Sequence, residues 1–311
     1  MKMISKAEVK KAIRAMEAQR AGFRPDAAQR AKMQKSRRAS EKMVSDFLRE
    51  SGLDMKKFEA LQRQRGVERE RMVAKDKAEA LRRAPKLRDT PHSGIFEQSK
   101  ALAELASRND FFPYPTFTLD TPYLIWTTPL LDLYKVQVRP FDSWARFKFS
   151  TSRYRGTQRV GFYFYWTNPF QDYALINVAT FMSANGYLKS NAPWTFGVNT
   201  SSVKATAQLN MWLSGSSALA STYASEFLGT TRAISFIMTF GDTNGTSISS
   251  GASLNATMFA VPPSKAVMLE VALALEYEND EGDMEADFKT DSFKIACPVV
   301  VISLLNSLAP V

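Results

Sequence analysis

The chain has 311 residues, 45% of them hydrophobic, with 41 Lys and Arg against 31 Asp and Glu and a single cysteine, Cys297. That apolar content suffices for a buried core and excludes a wholly disordered chain, and one cysteine excludes an internal disulfide framework. The charge is unevenly placed, because residues 1–90 hold 26 of the 41 cations and 13 of the 31 acids, leaving 15 and 18 for the rest. A basic, aromatic-poor arm and an aromatic-rich body therefore share one chain.

Ser5 followed by Glu8 is a capping-box pattern, and Val9, Ile13 and Met16 continue at helical spacing, which predicts a short helix ended by Gly22 and Pro25. A second helix is expected from about Pro25 to Glu50, with Met43, Val44, Phe47 and Leu48 as its apolar stripe. A third is expected from about Asp54 to Arg83, stopped by Pro85. About thirty helical residues reach roughly 45 Å, so the arm is expected to extend well beyond the body. Arg65 and Arg69 stand where a heptad seam begun by Phe58 and Leu61 would continue, which argues against a coiled coil.

Two cationic clusters punctuate the arm. Lys32, Lys35, Arg37 and Arg38 have no acid between Asp26 and Glu41, and Arg82, Arg83, Lys86 and Arg88 have none between Glu79 and Asp89. Such runs neutralise phosphates and give salt-sensitive, sequence-independent binding to a nucleic-acid backbone, and the absence of aromatic neighbours excludes base stacking. The acids scattered among them give the helices a second reading, a solvated face of mixed charge or a dock for other subunits. A membrane surface is a poor partner, since the Val9, Ile13 and Met16 stripe lacks Trp or Phe anchors.

Pro85, Pro91 and Gly94 mark residues 85–94 as a linker between an arm of residues 1–84 and a body of residues 95–311. Ile95, Phe96, Leu102 and Leu105 predict a short amphipathic helix, and from Phe111 the apolar period becomes two. Half-buried strands are expected with Tyr134, Val136 and Val138 inward, then Ala145, Phe147 and Phe149, then Val160, Phe162, Phe164 and Trp166. Others are marked by Leu209, Met211 and Leu213, by Ile234 to Phe240, by Leu254, Ala256 and Met258, and by Val267 to Tyr277 with Glu270 outward. Leu219, Tyr223 and Phe227 predict one short helix over residues 216–228. The polar segments 199–202 and 241–253, with Asn-x-Thr/Ser sequons at Asn199, Asn244 and Asn255, are expected as exposed loops, turns or strand ends. The fold class is α+β: an N-terminal extended helical arm followed by an antiparallel, jelly-roll-like β-sandwich of about ten strands.

Catalytic chemistry is poorly provided for. The one histidine, His92, sits in the linker beside Pro91, and Cys297 sits in an apolar run that suits an inert packing thiol. There is no Cys/His zinc spacing, Gly-rich phosphate loop or Gly-x-Ser-x-Gly elbow, so neither enzyme, cofactor nor metal is expected. The acidic run from Glu276 to Asp287 reads as a solvated hairpin, with a cation or the basic arm of a neighbouring copy as alternative partners. Trp144, Trp194 and Trp212 are candidates to stack on a sugar face, against core packing or a subunit contact.

The order and size of the two parts resemble the plan of many viral coat subunits, whose arm faces packaged nucleic acid or neighbouring subunits while the sandwich tiles a shell. The mixed charge of this arm departs from the nearly acid-free arms common in that class. The resemblance implies a non-enzymatic, self-associating structural protein. The alternative is a carbohydrate- or protein-binding sandwich on a helical docking stalk. The charged N-terminus lacks the apolar run of a secretory signal, and Pro298 and Asn306 break the apolar C-terminus, so the expected setting is a cytoplasmic assembly or virion rather than classical secretion.

Overall fold

The computed structural model describes residues 27–84, 115–214, 221–236 and 241–305, together with Ala7, Lys10, Lys11, Ile13 and Arg14. The 85–94 linker with Lys86, Arg88 and His92, the helix expected after Ile95, and most of the first expected helix lie outside the described residues.

Among the described residues, two continuous helices precede the strands, α1 (Ala27–Glu50) and α2 (Met55–Arg83). Gly52, in the left-handed region at φ 84°, separates them, and Asp54 caps α2 by accepting from the Lys57 amide. The strands then alternate between two antiparallel sheets. The first contains β1 (Thr116–Leu119), β3 (Leu131–Gln137), β4 (Trp144–Thr151), β6 (Ala174–Ala192), β9 (Asp242–Val261), β11 (Asp283–Phe288), β12 (Lys294–Ala296) and β13 (Val300–Leu304). The second contains β2 (Leu124–Thr127), β5 (Arg155–Thr167), β7 (Asn199–Leu213), β8 (Ser221–Ser235) and β10 (Ala266–Asn279), in the order β2-β5-β10-β7-β8.

The nineteen-residue β6 organises the first sheet. One flank pairs with β9 along nearly its whole length, and the other pairs in succession with β13, β12 and β11. β4 then lies beyond β11 and β12. Counting β11 to β13 as one broken ribbon, the sheets run β4-β11-β6-β9 and β5-β10-β7-β8, the crossing pattern of a jelly roll with its two Greek keys. The core between them is built from the expected inward rows: Phe147 and Phe149, Val160 to Trp166, Leu209 and Met211, Leu254 and Ala256, and Val267 to Tyr277.

Four local expectations are corrected. Residues 221–228 belong to strand β8 and not to a helix. Tyr223 and Phe227 are four apart, a spacing that keeps side chains on one face of a strand as well as of a helix, and pairing with β7 decides between them. Residues 199–202 begin β7, and residues 242–253 form the first half of β9, so Asn244 and Asn255 lie within a strand. In β9, Ser247, Ser249, Ser253 and Asn255 alternate with the buried Ile248, Ala252 and Leu254, while Asn244 and Thr246 lie on the inner side and donate to the Arg232 and Thr230 carbonyl oxygens of β8. Tyr134 stays exposed because β3 is bulged between Leu133 and Lys135 and Leu131 and Leu133 reach the core instead, and Val136, though opposite the buried Ala145, stays exposed with Val138 at the end of this edge strand. The acidic run is a corner between sheets and not a hairpin: β10 ends in one sheet, Gly282 turns at φ 141°, and β11 begins in the other.

Candidate functional site

The arm packs back onto the sandwich over much of its length. Along α2, Phe58, Gln62, Val73, Lys77, Ala80, Leu81 and Ala84 recur at helical spacing and face the outer side of the first sheet. Phe58 meets Trp194 edge-on at 5.4 Å, and Val73 and Ala84 pack with Tyr187 and Phe293. The Tyr187 hydroxyl donates to the Val73 carbonyl oxygen at 3.2 Å, and burial pushes its pKa up to about 12. Arg69, which breaks the heptad seam, pairs with Asp242 at the start of β9. Asp242 also accepts from the Ile234 amide and the Asn244 side chain, so this segment is a strand end tied to the arm and not a free turn.

Charge fixes the other end of α2. Lys77 reaches Asp287 at 2.6 Å and Glu285 at 2.9 Å, while Lys148 stands 3.4 Å from Glu285. Burial opposes ionisation of Asp287, but hydrogen bonds from Lys77, the Thr290 hydroxyl and the amides of Lys289 and Thr290 outweigh it and lower the carboxyl to about 2. Lys77 is raised by the same pairing against its own burial. The acidic strand thus receives the basic arm of its own chain. Arg37 on α1 extends the pattern, lying 3.1 Å from Glu41 and 3.8 Å from Glu281.

The predicted cationic clusters divide accordingly. Arg37 is half-buried in ion pairs and Arg83 is held by Glu79, whereas Lys32, Lys35, Arg38 and Arg82 are exposed and have no carboxylate partner among the described residues. The solvent side of the arm also carries large apolar groups: Met43 and Phe47 on α1 are 70% and 66% exposed, and Met72 on α2 is 65% exposed.

The three tryptophans occupy different settings. Trp212 is 6% exposed on the outer face of the second sheet, where it packs with Tyr163, Met268 and the fully buried Ile13. Beside it Glu270, expected outward, is fully buried and accepts from the Tyr163 hydroxyl at 2.5 Å and from Asn210 at 2.8 Å. Trp194 is wedged between Phe58 and Phe196. Trp144, 8% exposed, has the ammonium groups of Lys135 and Lys294 over its ring at 5.8 and 5.4 Å.

Lys294 borders a feature that sequence reasoning missed. On the outer face of the first sheet, Ser183 and Asn185 of β6, Ser249 of β9, Lys294 of β12 and Ser292 just before it line a groove of about 270 Å³ together with Phe181. Alternation builds it: Met182, Ala184 and Ile295 point into the core, so their neighbours in sequence line the outer side. Gly251 lets the Phe181 ring lie over β9, where any Cβ would run into it. The groove residues come from three strands distant in sequence, which left no local motif to find. Cys297, fully buried with its thiol pushed up to about 12 by burial, is the inert thiol expected.

No protein-family profile matches the sequence, and no curated protein matches it. Among solved structures the chain is similar to the carbohydrate-binding module TmCBM61 in complex with β-1,4-galactotriose, at 8% identity and a TM-score of 0.22 over 58% of this chain and 90% of that one. It is similar also to the module CsCBM6-3 from Clostridium stercorarium in complex with cellobiose, at 11% identity and a TM-score of 0.17 over 59% and 92%. A third is the family 11 module of the cellulase Lic26A-Cel5E of Clostridium thermocellum, at 8% identity and a TM-score of 0.21 over 63% and 97%. Likeness of this degree adds no argument about function to the jelly roll already described.

Proposed function

We propose that the chain is a non-enzymatic structural subunit that assembles with copies of itself, within a cell or a virion, the jelly roll forming the wall and the helical arm joining neighbours. The observation that carries this reading is the side of the arm left open among the described residues, where Met43, Phe47 and Met72 stay exposed although the opposite side of α2 is docked. Large apolar groups grouped on a helix surface mark a contact with another protein. The exposed Lys32, Lys35, Arg38 and Arg82 suit an anionic partner, including a nucleic-acid backbone, as a second role of the same surface. Light scattering tests the assembly: the full chain is expected as a large, concentration-dependent species, and Met43→Ser with Phe47→Ser is expected to reduce it. A wild-type chain that stays monomeric across salt and concentration would overturn the reading. Absorbance at 260 and 280 nm, before and after a salt wash, tests the nucleic-acid role separately.

A second reading, a carbohydrate-binding sandwich on a helical stalk, is favoured by the groove. Hydroxyl and amide groups from Ser183, Asn185 and Ser249 beside the Phe181 ring are what a sugar requires, hydrogen bonds at its edge and an apolar wall for its face. Saturation-transfer NMR with monosaccharides is expected to show contacts that Phe181→Ala weakens, and silence across neutral and acidic sugars alike would overturn this reading.

A further inference from the structure

The strongest unexplained group in the molecule is the ammonium of Lys294. The residue is 7% exposed, yet it makes no ion pair within 4 Å and no side-chain hydrogen bond among the described residues; the Trp144 ring lies 5.4 Å from its nitrogen, and Asp142 attracts it only from beyond contact distance. Buried charges are ordinarily paired. Lys77, itself less buried, has two carboxylates in contact. Lys294 differs in bordering an open cavity.

The surroundings keep that cavity cationic. Asp142 is the one carboxylate among the described residues lining the groove; it attracts Lys294 without reaching it and accepts from the Gln137 amide. Arg146 also acts on Lys294 and donates to the carbonyl oxygens of Lys289 and Asp291, and Lys135 lies over the same tryptophan. Burial lowers Lys294 to about 8, which leaves it mostly protonated at neutral pH. The remaining lining is neutral: serine hydroxyls, the Asn185 amide and the rings of Phe181 and Phe141. A bare inorganic anion would leave that hydroxyl-rich wall and the aromatic face unused.

We propose that this groove binds an acidic sugar, a single pyranose ring whose carboxylate pairs with Lys294 while its hydroxyls meet Ser183, Asn185, Ser249 and Ser292 and one face lies on Phe181. This rests on the sugar-binding reading above and specifies its ligand. The volume of about 270 Å³ fits one ring rather than an oligosaccharide, sitting just under the roughly 300–1,000 Å³ of drug-sized pockets. Trp144 lies beside the site, its ring 5.4 Å from the lysine ammonium.

The test uses the full chain at pH 7 and titration calorimetry with D-glucuronate, D-glucose and inorganic phosphate as probes. The expected result is glucuronate bound at least about tenfold more tightly than glucose or phosphate, as one charge-assisted hydrogen bond supplies. That preference is expected to disappear in Lys294→Met, with folding of the variant checked by circular dichroism, and to weaken in wild type as pH rises through about 8. Equal binding of glucose and glucuronate would overturn the acidic-sugar inference while leaving sugar binding intact. Phosphate bound as well as glucuronate would overturn the sugar itself, and binding of none of the three would overturn both.

Discussion

Replacing Asp287 by Asn tests whether charge holds the arm to the sandwich. Asp287 is 2% exposed and accepts from Lys77 at 2.6 Å, from the Thr290 hydroxyl at 2.6 Å, and from the amides of Lys289 and Thr290 at 2.9 and 3.0 Å. A carboxyl that titrates at about 2 when folded and near 3.8 when unfolded contributes about 2 kcal/mol, at about 1.4 kcal/mol per pH unit. Because its folded value is depressed, that contribution is full above pH 4 and is lost as pH falls from about 4 to 2. Urea unfolding followed by circular dichroism is therefore expected to show Asp287→Asn weaker than wild type by about 2 kcal/mol at pH 7, the gap closing toward pH 2. Lys77→Met in the same background measures the coupling, expected at about 1–2 kcal/mol with Glu285 left as residual partner. Hydrogen exchange in α2 is expected to rise in either single variant. A gap that does not change with pH, or single effects that simply add, would refute the assignment of α2 docking to this pair.

Three further outcomes follow from the same structure. Lys294 titrates at about 8 instead of 10.5, so burial of its cation costs stability below pH 8 and the cost is relieved as pH rises toward 10.5; Lys294→Met is expected to stabilise at pH 7 by up to about 3 kcal/mol, with the advantage shrinking in urea melts at alkaline pH. Gly282→Ala is expected to destabilise by about 2 kcal/mol or more in thermal melts, since φ is 141° there and a Cβ would strike the Asn191 carbonyl oxygen. Cys297 is expected to resist a thiol reagent in the folded chain and to react at once in urea, and rapid labelling under native conditions would contradict its burial.

The body was legible because its core strands carry their period openly. Val267 to Tyr277 alternates without interruption, and every inward member of that row lies in the core. Legibility failed where two periods coincide or where one side of a strand is polar. The spacing of Tyr223 and Phe227 suits helix and strand equally, and β9 from Asp242 to Ser253 displays so many Ser, Thr and Asn that its buried Ile248 and Ala252 are lost among turn-forming residues. Tyr134 misled for another reason: a bulge changes the face on which every following residue lies, and no residue type announces one.

The arm shows why charge alone is a poor guide to partners. Two cationic clusters stand out in the sequence, yet Arg37 is spent on Glu41 and Glu281, and the shortest ion pairs to the sandwich come from Lys77 and Arg69, which belong to neither cluster. What separates them is position on the helix. Lys77 and Arg69 follow Phe58, Gln62 and Val73 along the docked side, whereas Lys32, Lys35 and Arg38 have no such row of buried neighbours. A sequence reveals the composition of a helix, but which side is already occupied depends on strands more than a hundred residues away, here β9 and β11. The cations available to a partner are those left over after the chain has satisfied its own acids, and with them stand Met43, Phe47 and Met72, the apolar groups that no described residue covers.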